Sequence, residues 1–182
     1  MAPSAPTSMP NDRPTFRKYA RIEHERRFLL TTLPDGVDPQ GYEVLEDLYV
    51  QGSHLRVRHV YKPEGEWVAT KLGQKIPHPD APSDPRLRQM TTIYLPHAEA
   101  SALEPLVGLR TRKRRYRLLE QGWTWCIDVW EVPAAAAGII VAEVETHTLA
   151  ELEALAVPSW AIREITADES YSAIRLAMRQ DR

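Results

Sequence analysis

Residues 22–30 read IEHERRFLL and residues 138–146 read GIIVAEVET. Side chains two apart on a strand share a face. The first stretch therefore sets Glu23, Glu25 and Arg27 against Ile22, His24, Arg26 and Phe28. The second sets Glu143 and Glu145 with Val141, opposite Ala142, Val144 and Thr146. The same split recurs outward from these two stretches. In HLRVRHV (54–60), Arg56 and Arg58 oppose Leu55 and Val57. In RTRKRRYRLLE (110–120), Lys113, Arg115 and Arg117 oppose Arg112, Arg114, Tyr116 and Leu118. EWVATKLG (66–73) carries Lys71 on the face of Trp67 and Ala69. GWTWCIDVWEV (122–132) carries Asp128 with Cys126 and Thr124, opposite Trp123, Trp125, Ile127 and Val129.

With YEVLEDLYV (42–50) and RQMTTIYLP (88–96), these runs predict about eight short strands rich in β-branched and aromatic residues. Helices are predicted over His97–Leu106, Thr148–Ala156 and Asp168–Arg179, from a proline first turn, leucine spacing and an aspartate cap respectively. The four prolines of residues 75–88 predict a loop, and the alanine run between Pro133 and Gly138 predicts a turn. Residues 1–17, rich in Pro, Ser and Ala, are expected to be a disordered tail, leaving 18–182 as one domain. Strands with a few short helices in one domain suggest a barrel or a sandwich with helical additions.

Composition excludes several classes. The formal net charge of −2 gives no global attraction to nucleic acid or an anionic membrane. A single cysteine, Cys126, rules out a disulfide framework and a cysteine-rich zinc site. The six histidines show no metal-ligand spacing. Without a long apolar run or the apolar core of a signal peptide, the expected location is cytoplasmic.

Split faces alone also suit a sandwich with solvated outer charges. The sorting of sign argues against it. The acids come as Glu23/Glu25 and Glu143/Glu145, and the bases as Arg56/Arg58 and Lys113/Arg115/Arg117. A solvated sheet surface interleaves signs, because like neighbours repel. Two Glu-x-Glu pairs on converging strands offer a hard-cation site for Mg²⁺ or Mn²⁺. Basic rows facing them suit phosphate oxygens. Read alone, RTRKRRYR also suits a nucleic-acid patch, but its alternation and the acidic pairs weigh against that.

These residues resemble the CYTH, or triphosphate tunnel metalloenzyme, superfamily. IEHERRFLL is similar to its Glu-x-Glu-x-Lys opening. LRVR (55–58), ATK (69–71), KRRYR (113–117), IDVW (127–130), VAEVE (141–145) and EITADESYS (164–172) follow in family order. The resemblance implies an α+β chain whose eight-stranded antiparallel β-barrel forms a tunnel, with short helices packed outside. It implies hydrolysis of a small-molecule triphosphate with Mg²⁺ or Mn²⁺ as cofactor, or, alternatively, binding without turnover. Nucleic acid and membrane are not expected as partners, and a homodimer is compatible with this type of fold. The implied metal ligands are Glu23, Glu25, Glu143 and Glu145. Arg27, standing where the family has lysine, is the first implied phosphate contact, with Arg56, Arg58, Lys71, Arg115 and Arg117. Lys113 is the implied catalytic residue, at the leaving phosphate. Where many relatives carry a further Glu-x-Glu pair, this chain has Met90 and Thr92.

Overall fold

Alternation of this kind closes a sheet on itself when one face can be filled by charge and the other covered from outside. The computed structural model, which describes residues 19–179, contains nine strands. They are β1 (Arg21–Leu30), β2 (Tyr42–Val50), β3 (Leu55–Tyr61), β4 (Trp67–Pro77), β5 (Leu87–Leu95), β6 (Gly108–Glu120), β7 (Trp123–Val132), β8 (Ile140–Thr146) and β9 (Arg163–Glu164). Their order is β5-β4-β3-β2-β6-β7-β8-β1-β9, and β1 pairs with β5 as well. That last pairing, from Arg21↔Met90 to His24↔Leu87, closes eight strands into an antiparallel barrel. The expected fold class is the observed one. The two-residue β9 lies outside the ring, beside Phe28 and Leu29 of β1. The tail expected over residues 1–17 lies outside the described residues.

The larger apolar cluster sits outside the barrel wall rather than in its lumen. Phe28, Leu30, Tyr116, Leu118, Trp125, Ile127, Ala142 and Val144 form one buried cluster with Leu155, and Trp160 packs against it. These are the outward residues of β6, β7, β8 and β1. The chain after β8 covers them, starting with helix α2 (Leu149–Ala154). Trp125 and Trp160 meet edge to face at 5.1 Å, a geometry aromatic pairs favour. A second cluster of Trp130, Ala136 and Leu176 seats helix α3 (Ala173–Ala177).

The ends of α2 show how locally its fold is encoded. Thr148 accepts from the Glu151 backbone N–H while the Glu151 carboxylate accepts from the Thr148 N–H, a reciprocal capping box. Thr148→Ala is expected to cost ~1 kcal/mol and lower Tm by about 2–4 °C. Thermal unfolding followed by circular dichroism checks this, and an unchanged Tm would refute it.

Three segments depart from expectation. The loop predicted over 75–88 is shorter, because β4 continues to Pro77 and β5 starts at Leu87. Pro77 ends its strand, where a missing N–H interrupts little of the ladder. The helix expected over 97–106 is α1 (His97–Ala100) followed by a 3-10 turn, Ser101–Leu103. The helix expected over 168–179 is a 3-10 turn, Glu169–Tyr171, and then α3, separated by Ser172 in extended conformation.

Candidate metal and anion site

The barrel holds a cavity of about 610 Å³. Every expected site residue except Arg117 lines it. Arg117 stands at the rim, 54% exposed, where it donates to Glu43 at 2.9 Å. The other residues divide into an acidic side and a basic side.

The acidic side is built by β1 and β8. Antiparallel register sets Glu25 directly opposite Glu145, and Arg27 opposite Glu143. Like charges directly opposed destabilise a sheet unless a cation joins them. Glu23 and Glu25 are buried, and one oxygen from each of Glu23, Glu25 and Glu145 lies within 4.8 Å of the other two. This trio could hold a metal ion. Glu143 is not in the trio. It accepts instead from Arg115 at 3.0 Å. Burial, with the charges of Glu23 and Glu25, pushes the Glu145 carboxyl up to about 7. Burial also opposes the Glu25 charge, yet Lys75 and Arg27 outweigh it and hold that carboxyl below its ordinary value. The neighbouring Glu25 and Glu145 carboxyls are thus driven in opposite directions.

The basic side is organised by two buried aspartates. Arg58 donates both Nε and Nη2 to Asp47, at 2.6 and 2.7 Å. Arg115 grips Asp128 in the same way at 2.6 and 2.7 Å. Lys113 also donates to Asp128, and its ammonium lies 5.3 Å from the Trp130 ring centroid. Each aspartate is the direct cross-strand partner of its arginine. Burial acts against both carboxylates. Arg58 and Arg56 overcome it at Asp47, and Arg115 and Lys113 at Asp128, holding both well below the usual carboxylate range. Lys113 is lowered too, which for a base weakens the charged form: burial, helped by Arg115 and Arg58, outweighs the pull of Asp128. The site therefore contains a lysine with a weakened hold on its proton among arginines with none to give.

Two basic residues have further commitments. Arg27 spends its terminal nitrogens on the carbonyls of Tyr171 and Thr166, at 3.2 and 3.0 Å, and so ties the C-terminal segment to the barrel. The Lys71 ammonium lies 5.0 Å from the ring centroid of its cross-strand partner Tyr94. Met90 and Thr92 both line the cavity. Gly73 leaves room for Met90, since a Cβ there would come within 2.8 Å of its terminal methyl.

Sequence reasoning passed over Lys75, Arg21 and Arg88, which line the cavity, and Asp47, which is buried against Arg58. Lys75 Nζ lies 3.1 Å from Glu23 and 2.8 Å from Glu25. The available signal was period two: Lys71, Gly73 and Lys75 share a face once β4 runs through the first proline. Asp47 had a weaker signal, standing one strand over from the Arg56/Arg58 pair.

The chain matches no family model, and no curated protein matches it in sequence. Solved structures do match in shape. The hypothetical protein NE1496 superposes with TM-score 0.55 at 22% identity, over 87% of this chain and 99% of that one. A second structure, of the inorganic triphosphatase NE1496, gives TM-score 0.55 at 21% identity, over 87% and 95%. A Bacillus halodurans protein gives TM-score 0.50 at 14% identity, over 75% and 86%. These likenesses show the fold: the closed antiparallel barrel with its flanking helices is one these proteins share.

Proposed function

We propose that this chain is a metal-dependent triphosphatase acting on inorganic tripolyphosphate or an organic triphosphate. One observation carries the reading. Three acidic side chains within ligand reach of one another face a row of arginines and lysines across one closed tunnel. The tunnel-type fold and its likeness to the inorganic triphosphatase NE1496 support it.

Glu23, Glu25 and Glu145 are carboxylates, the donor type that suits Mg²⁺ or Mn²⁺, and they would hold the ion, with Glu143 available nearby. When bound, such an ion neutralises charge on phosphate oxygens and polarises them. The protein's own groups do the rest. Arg56, Arg58, Lys71 and Arg115 line the path of a linear polyanion and neutralise it. Asp47 and Asp128 fix two of those guanidiniums, so little reorganisation is needed as charge develops. Water attacks a terminal phosphorus in line, the bond to the bridging oxygen breaks, and Lys113 gives its proton to the departing diphosphate. Its lowered proton affinity suits that task.

The test is phosphate release from tripolyphosphate, ATP and thiamine triphosphate, with Mg²⁺ and with Mn²⁺. Metal-dependent release establishes the activity and ranks its substrates. Stabilisation by tripolyphosphate without release would favour the second reading, a tunnel that binds without turnover. Met90 and Thr92 favour that alternative, because they supply no carboxylate on β5.

The Glu145 carboxyl adds a pH prediction. With its carboxyl raised to about 7, protonation of Glu145 favours the folded metal-free chain at low pH. That contribution is lost as pH rises through about 7, and it is reduced by solvent because the side chain is 45% exposed. A metal needs the ionised form, so Mn²⁺ affinity is expected to fall about tenfold between pH 8 and pH 6. Calorimetric titration at the two values reads this directly, and equal affinities would refute it.

A further inference from the structure

Lys75 has no task in the mechanism above, yet it is the best-placed cation in the acidic half of the tunnel. Its Nζ lies 2.8 Å from an oxygen of Glu25 and 3.1 Å from one of Glu23. The strand register explains how it arrives there. Lys75 of β4 and Arg21 of β1 are both cross-strand partners of Met90, one on each side. Met90 carries no charge, so Lys75 reaches over β5 to the carboxylates on β1. Arg21, at the mouth and 67% exposed, supports Glu23 at 2.8 Å and meets Glu145 at 3.5 Å. As an exposed ion pair it is the weaker competitor.

An ammonium and a divalent cation seek the same carboxylate oxygens. A lysine head on a flexible four-carbon stem can leave them for phosphate oxygens in the same cavity. We propose that Lys75 is a tethered competitor of the metal at Glu23 and Glu25, drawn off by triphosphate. Free metal then binds weakly, and metal and triphosphate strengthen each other's binding by the same factor, as linkage requires. This rests on the metal-site reading above. It gives the missing acidic pair on β5 a consequence: without acids at Met90 and Thr92, Lys75 finds its partners on β1.

The test measures Mn²⁺ binding by electron paramagnetic resonance of the free ion, with and without non-hydrolysable imidotriphosphate. Wild type is compared with Lys75→Met, Lys75→Gln and Lys75→Arg. Without the analogue, Lys75→Met is expected to bind Mn²⁺ about tenfold more tightly than wild type, within the usual range of coupling. Lys75→Arg, which keeps the charge, should stay close to wild type. The analogue should tighten Mn²⁺ binding more in wild type than in Lys75→Met. Lys75→Gln serves the same comparison if the methionine variant does not fold. Mn²⁺ bound equally well by wild type and the neutral variants would overturn the competition and leave the metal site standing. Mn²⁺ bound by none of them would overturn both.

Discussion

Glu25→Gln is expected to lower kcat/KM for metal-dependent triphosphate hydrolysis by roughly 10²–10³-fold, the scale on which loss of one preorganised electrostatic group acts. Glutamine keeps the shape of the side chain and removes its charge. At a surface glutamate the change would matter little; here the carboxylate is buried and faces Glu145 across the β1–β8 ladder. It shares Lys75 with Glu23 and lies 3.6 Å from Arg27. Taking one charge from the trio leaves two carboxylates for the ion. It also leaves Lys75 paired with Glu23, so the fold keeps its local neutrality. The expected signature is therefore a large loss of activity with a modest change in Tm. Glu66→Gln, at the exposed Lys62–Glu66 pair, is the control and should change neither beyond about twofold. Steady-state phosphate release at saturating Mn²⁺, with circular dichroism melts of all three proteins, decides the matter. A Glu25→Gln protein retaining more than about a tenth of wild-type activity would remove Glu25 from the metal site.

How much of this site can be read from sequence depends on whether its residues are paired along the strand or across it. Glu23/Glu25, Arg56/Arg58 and Lys113/Arg115 are neighbours at period two, so their shared face is visible in the chain itself. Asp47 is not, because its partner Arg58 belongs to the next strand and the acid that shares its face, Glu43, stands four residues away and pairs with Arg117 at the rim. Lys75 was concealed differently. Prolines mark a loop well, but the first of them, Pro77, ends a strand whose last inward charged residue is that lysine. Arg27 shows a third limit. Its position on β1 is local, while what it holds is the segment at Thr166 and Tyr171, far along the chain. The barrel was legible because alternation repeated about eight times comes with acids and bases sorted by strand, which a solvated sandwich surface disfavours. The division of labour inside it was not, because it is made by register.

Asp128→Asn tests that division where it is most concentrated. Asp128 is buried at 1% exposure and accepts from both Arg115 and Lys113. Asparagine fits the space but leaves two cations facing each other without their counter-charge. Removing one partner of a buried ion pair typically costs 3–5 kcal/mol, so Tm is expected to fall by about 6–20 °C. The acid limb supplies a second signature. The Asp128 carboxyl sits below its ordinary range in the folded chain, so its stabilising contribution is present above the unfolded-state value. It is lost as pH falls from about 4 toward the folded value, which steepens acid unfolding of wild type relative to Asp128→Asn. The anion supplies a third. With Arg115 and Lys113 no longer neutralised, tripolyphosphate should recover more Tm in Asp128→Asn than it adds to wild type, because it replaces the missing charge. A merely structural aspartate predicts the first drop without that recovery. Equal tripolyphosphate shifts in the two proteins would therefore place Lys113 and Arg115 outside the anion path, and Lys113 outside the chemistry.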